Sequence, residues 1–170
     1  DILAVLGDRR IAVARELTGE AATDYSDASG TNAFDLNRFC WAEQVLELAK
    51  LDRRLFPPAR PSTDILGTVT EEAARETGLR AGTPVAVGGG DGSCAGVGVG
   101  CVKPGTAYNY LGSSSWIALT VEKPIVDAQM RTMNWAHCVK GYLHPSGTMQ
   151  TAGSSFNWLK EQLCAPEIAA

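Results

Sequence analysis

The chain has 170 residues, 45% hydrophobic and 20% charged, with a net charge of −4. That composition is ordinary for a globular protein, and the length suits one domain or parts of two and is enough to bury a core. An acidic balance without a basic stripe argues against a nucleic-acid partner, and no apolar stretch approaches the ~20 residues that a membrane helix needs.

Residues 1–17 carry helical spacing in Leu3, Leu6, Ile11, Val13 and Leu17, and Gly19 is placed to end that helix. Residues 21–32 are small and polar and predict loop or turns. A short strand is expected at 33–36. The spacing then predicts a helix over 38–50, capped by Asn37, with Trp41, Val45 and Leu48 on one face. Trp41 reads as a core anchor. Pro57, Pro58 and Pro61 make the next stretch a rigid connector. A strand at 65–69 leads to Thr70, which caps a helix over 71–77 that Gly78 ends. Glu71 and Glu72 suit the first turn of that helix.

The most informative stretch follows. The β-branched run 84–87 reads as a strand and drives into Gly88, Gly89 and Gly90, with Asp91 directly after them. Glycines there let the backbone turn sharply and let a ligand approach closely. A carboxylate at the carboxyl end of a strand stands where open α/β sheets bind ligands. From the pattern alone Asp91 is equally a helix cap or a catalytic group. No Gly-Lys-Ser/Thr follows, so this is not a P-loop, and no suitable acidic residue completes a dinucleotide fingerprint. Residues 93–100 predict a helix of small side chains. Its glycines cost about 1 kcal/mol each relative to Ala, which makes sense only where something packs closely against it.

Residues 106–111 and 116–121 predict a hairpin around Gly112, Ser113, Ser114 and Ser115. Such a tip can cradle a phosphate with backbone N–H groups and hydroxyls, although the pattern alone favours a plain turn. Strands are expected at 133–139 and 142–148, and a helix at 156–163 with Trp158 and Leu159 in the core. The five cysteines Cys40, Cys94, Cys101, Cys138 and Cys164 form no CxxC pair and suit free thiols in a reducing cytoplasm. His137, Cys138 and His144 lack a fourth ligand at useful spacing, so no zinc site is expected.

Four stretches in order resemble one family. They are Leu17-Thr18-Gly19-Glu20 with Thr23 to Thr31; Leu66-Gly67-Thr68-Val69-Thr70 with Thr77-Gly78-Leu79 and Gly82-Thr83-Pro84-Val85; Gly88-Gly89-Gly90-Asp91 with Ala95 to Gly100; and Pro104-Gly105 with Leu111-Gly112-Ser113-Ser114. The tail Ala152-Gly153-Ser154 before Trp158-Leu159 fits the same pattern. Together they are similar to the FGGY carbohydrate kinases, xylulokinases most of all. The resemblance implies an α/β, actin-like and ribonuclease H-like ATPase fold. Residues 1–103 would be the later part of the sugar-binding first domain and 104–170 the start of the nucleotide-binding second domain. The chain would be an internal piece, without the amino-terminal phosphate hairpin or the later adenosine site.

The resemblance further implies ATP-dependent phosphorylation of a sugar hydroxyl, D-xylulose to xylulose 5-phosphate, with ATP and Mg2+ as cofactors. Asp91 would be the general base and would hold the substrate together with Gly92. Gly112, Ser113 and Ser114 would face the nucleotide phosphates. A cytoplasmic location and a homodimer are expected, and a chain with half of each of two domains would expose sheet edges that are prone to associate. Two departures stand out. Family members usually carry Asn or Gln after the catalytic Asp, where this chain has Gly92, and Gly-Thr at the phosphate turn, where it has Gly112-Ser113. Gly92 keeps other sugars open, glycerol, ribulose and gluconate among them, as well as a non-catalytic sugar- or nucleotide-binding protein on the same fold.

Overall fold

The structure, a computed structural model, describes residues 9–164. The first eight residues of the expected amino-terminal helix lie outside them. That helix, α1, is described over Arg9–Thr18, and Gly19 follows it at φ +80°. Residues 21–32 correct the expectation of a loop. They form strand β1 (Thr23–Asp24) and helix α2 (Tyr25–Gly30). Asp24 caps α2, its carboxylate accepting from the N–H groups of Ser26 and Asp27. The small side chains of Ser26, Ala28 and Ser29 are what let so short a helix lie buried.

Strand β2 (Phe34–Asp35) pairs antiparallel with β3 (Cys40–Trp41). The helix expected at 38–50 therefore begins late, as α3 (Glu43–Leu48), with Ala42 rather than Asn37 at its cap. Trp41 is in the hairpin instead of the helix, so the face counted from it is the wrong one. Leu46 is buried while Leu48 is 86% exposed. Trp41 is the core anchor all the same. It packs edge-on against Phe34 and Phe56, and its indole N–H donates to the Pro57 carbonyl at 2.8 Å. Ala28, Ala33, Phe34, Trp41, Leu46 and Phe56 make one buried cluster.

A short 3₁₀ turn (Arg53–Leu55) leads into β4 (Ala59–Arg60), which pairs parallel with β1. Strand β5 (Ile65–Thr68), helix α4 (Glu71–Thr77) and strand β6 (Pro84–Ala86) follow as the sequence predicts. Thr70 accepts from the Ala73 N–H at 3.1 Å, and Gly78 ends α4 at φ +76°. Strands β5 and β6 are antiparallel.

Helix α5 (Asp91–Gly98) starts after the three glycines. Strands β7 (Ala107–Leu111), β8 (Ser115–Leu119) and β9 (Ser146–Met149) form an antiparallel sheet in the order β7-β8-β9. The strand expected at 133–139 is reduced to isolated bridges, Met133 to Ser146 and Ala136 to Leu143. The last helix, α6 (Gly153–Leu163), has no buried residue. Trp158 and Leu159, expected in the core, are 61% and 42% exposed. Their spacing made an apolar face, and no described element covers it.

Candidate active site

Strand β6 ends at Ala86, and the chain crosses to α5 through Val87 and the glycines. Gly88 needs its glycine, because its φ of +83° lies where side chains are strained. Gly90 needs it for space. A Cβ there would meet the Asp27 carboxylate at 2.9 Å and the Ser26 hydroxyl at 3.2 Å. Two bonds hold the run: the Gly88 N–H donates to the Ser62 carbonyl at 3.0 Å, and the Gly90 N–H to the Ser26 hydroxyl at 2.8 Å. Gly90 occupies the cap position of α5, and Asp91 is its first helical residue. Asp91 accepts from the Gly92 N–H at 2.9 Å and caps nothing further along the helix.

A cleft of about 390 Å³ opens beside this turn, a volume in the range of small-ligand sites. Its wall combines the polar groups of Ser26, Asp27 and Asp91 with the rings of Tyr110, Trp116, Trp135 and His144. Gly92 also lines it, and a Cβ on Gly92 would stand 3.4 Å from the Trp116 ring. Gly92 thus stands next to an indole.

The small side chains of α5 have the close partner that the sequence called for. A Cβ on Gly96 would lie 2.8 Å from the Tyr108 ring and 3.3 Å from His144. The Tyr108 hydroxyl donates to the Gly92 carbonyl, tying β7 to the first turn of α5. Burial pushes the Tyr108 phenol far above its ordinary value. Tyr108 packs edge-on against Trp116, and Tyr110 stacks on that ring at 5.2 Å.

Behind these rings, His137 and His144 stack at 5.4 Å. The His137 Nδ1 accepts from the Val139 N–H at 2.8 Å, so its Nε2 donates to the Cys101 carbonyl at 2.9 Å. Burial lowers its pKa. Burial and the neighbouring His137 bring His144 down to about 4. Both imidazoles are neutral at pH 7, as a buried aromatic stack requires.

The structure brings Asp91 and Gly92 into one cleft with Trp116 but does not put Gly112, Ser113 or Ser114 in its wall. The carbonyls of the hairpin tip receive the first N–H groups of α6. The N–H groups of Ala152 and Ser154 donate to the Ser113 carbonyl, and that of Gly153 to the Gly112 carbonyl at 3.0 Å. A Cβ on Gly153 would strike the Gly112 oxygen at 2.4 Å, which accounts for a glycine there. The Gly112 N–H closes the tip on the Ser114 carbonyl at 2.8 Å. Among the described residues no group of three or more His, Cys, Asp or Glu could hold a metal ion. All five cysteines are free thiols.

Sequence reasoning missed Ser26, Asp27, Tyr108, Trp116, Trp135 and His144. Ser26 and Asp27 lie in the stretch Thr23 to Thr31 without a role of their own, His144 suggests only a metal ligand, and Trp116 directly follows the three serines of the hairpin tip. The others converge from distant segments that no local spacing connects.

Comparison with known proteins places the chain in a family. The model of the N-terminal domain of the FGGY family of carbohydrate kinases matches residues 12–98. The autoinducer-2 kinase of Yersinia enterocolitica is 36% identical over 156 residues, covering 91% of this chain and 29% of that protein. The chain therefore spans under a third of the length of the curated relatives it matches. The xylulose kinase of Rhodospirillum rubrum is 31% identical with a TM-score of 0.83, over 91% of this chain and 31% of that one. The glycerol kinase of Plasmodium falciparum, 21% identical with a TM-score of 0.79 over 91% of this chain and 31% of that one, shows the fold alone. The backbone is that of the actin-like sugar kinases, and the chain belongs to the FGGY family of carbohydrate kinases.

Proposed function

We propose that the chain supplies the catalytic base and part of the sugar cleft of an ATP-dependent carbohydrate kinase. One observation carries this reading: the Asp91 carboxylate stands in the first turn of α5, in the wall of a cleft faced with aromatic rings. A sugar hydroxyl in that cleft donates a hydrogen bond to Asp91. As its oxygen bonds to the γ-phosphorus of ATP and the bond to ADP breaks, the proton passes to the carboxylate. Trp116, Tyr110 and Trp135 give the C–H faces of the sugar something to pack on and keep water from the transfer. Ser113 and Ser114 are assigned to the nucleotide phosphates together with the Gly112 turn. Mg2+ bound with ATP would supply neutralisation of the phosphate charge. The described residues offer no three-ligand cage for it.

On this reading residues 1–103 belong to the first domain and 104–170 open the second. The exposed apolar face of α6 packs against the rest of that second domain. Free thiols support a reducing, cytoplasmic setting. A homodimer remains part of the proposal, as does D-xylulose as the substrate. A second substrate, autoinducer-2, is favoured by the 36% identity to the autoinducer-2 kinase.

The test is an ATP-consumption assay on the kinase polypeptide that contains these residues at the length of its relatives. D-xylulose, autoinducer-2, ribulose, glycerol and gluconate are offered in turn. Turnover with one of the first two, and far less with the rest, supports the reading and chooses the substrate. Binding of a sugar or of ATP with no turnover on any of them would make the protein a binding module on a kinase fold.

A further inference from the structure

Asp24 is 3% exposed and carries a buried carboxylate that the proposed chemistry does not use. Capping α2 accounts for part of it, since its oxygens accept from the Ser26 N–H at 2.7 Å and the Asp27 N–H at 3.4 Å. A cap needs no charge, however, because Ser, Thr or Asn serves as well. A buried carboxylate is costly unless several donors meet it. Here two hydroxyls also point at it: that of Ser26, and that of Ser62 at 3.1 Å.

A carboxylate only accepts, and a serine has one proton to give. With its proton committed to Asp24, the Ser26 oxygen must present lone pairs to its other neighbour. That neighbour is the Gly90 N–H, at 2.8 Å. Gly90 immediately precedes Asp91. On the other side, the same Asp24 holds Ser62, whose carbonyl accepts from the Gly88 N–H at 3.0 Å. One buried charge thus fixes the polarity of the Ser26 hydroxyl and anchors Ser62, and the Ser26 hydroxyl and the Ser62 main chain hold the glycine run at its two ends. The run has no side chains of its own to hold it. Both hydroxyls and the Ser26 N–H meet one and the same carboxylate oxygen, so Asn at 24 can keep all three with its amide oxygen, whereas Ala at 24 removes the acceptor and frees the Ser26 proton.

We infer that Asp24, acting through Ser26 and Gly90, is a positioning residue for the Asp91 carboxylate, holding it where it can take the proton of the acceptor hydroxyl. This inference rests on the reading of Asp91 as the base.

The experiment is a double-mutant cycle in the kinase that contains this chain, with Ser26→Ala and Asp24→Ala each made with Asp91 intact and with Asp91→Asn. Expected with Asp91 intact is a loss in kcat of about tenfold or more, the scale of a misplaced catalytic group, with KM for ATP unchanged within about twofold. With Asp91→Asn, the same substitutions lower kcat no further, because there is no base left to misplace. Where Ser26→Ala does not fold, Ser26→Cys keeps the volume, removes the strong acceptor and is read in the same way. A kcat within about twofold of wild type for Ser26→Ala overturns the inference, and so does an equal loss in both backgrounds, which marks a merely structural role. Full turnover in Asp91→Asn alone overturns the base assignment, and this inference with it. An inactive Asp91→Asn beside an active Ser26→Ala overturns the positioning role only.

Discussion

Trp41 and Trp158 are the same residue in two parts of the molecule with opposite fates. Trp41 is 4% exposed, packed between Phe34 and Phe56, with its indole N–H bonded to Pro57. Trp158 is 61% exposed on α6, along with Phe156 at 65% and Leu163 at 67%. Around Trp41 five short elements close on one another. Helix α6 touches the described chain chiefly at its amino end, where the hairpin tip receives its first N–H groups. An apolar stripe says which face of a helix wants cover; it does not say that the cover is in the same 170 residues.

That contrast can be broken most sharply by Trp41→Ala. Loss of a large buried aromatic should cost about 3–5 kcal/mol, read by denaturant unfolding; a loss under ~1 kcal/mol would mean that the Phe34 and Phe56 cluster is not the organising core. A smaller effect is expected where α5 meets the sheet. Gly96→Ala gains about 1 kcal/mol of helix propensity. It also drives a methyl to 2.8 Å from the Tyr108 ring, which Trp116, His144 and the bond to Gly92 hold in place. Overpacking of that kind costs about 1–3 kcal/mol, so the net change is a loss, and a gain in melting temperature would show that Tyr108 yields freely.

The histidine stack gives a pH-dependent effect. His144 is held near 4 in the fold, against an ordinary value of 6.5. Between those values the unfolded chain binds the proton and the folded one does not, so stability falls as pH is lowered from about 6.5 towards 4. His144→Gln should flatten that part of the melting-temperature profile, and an unchanged slope would refute the assignment. The smallest effect completes the contrast: Trp158→Ala should change stability in the isolated chain by no more than about 0.5 kcal/mol. A loss of several times that would mean that the α6 face is covered, by the chain itself or by a second copy.

Much of this was legible in the sequence where one local rule decided the outcome. Thr70 and Gly78 bracket α4 because a cap and a left-handed glycine act over three or four residues. The tip at Gly112 to Ser115 is a hairpin because the flanking strands alternate and pair locally. The glycine run and Asp91 were visible for the same reason. Reading failed where a distant partner decided. Residues 21–32 looked like a loop because Ser, Asp and Gly favour turns, yet Asp24 caps a helix there that the rest of the core covers. Trp41 joined the wrong element because β2–β3 pairing overrode helical spacing. The aromatic wall of the cleft was not foreseen, since Tyr110, Trp116, Trp135 and His144 meet only once β7, β8 and the segment before β9 are in place.

The measurement that tests the central claim most directly is the turnover of Asp91→Asn in the kinase containing this chain, set beside its melting temperature. The substitution keeps the shape of the side chain and removes its ability to take a proton. The account predicts a fall in kcat of about 10²–10⁴, the contribution of a positioned base, with the melting temperature within a few degrees of wild type. Near-normal turnover from a folded variant would contradict it, and would leave Asp91 as no more than the first residue of α5.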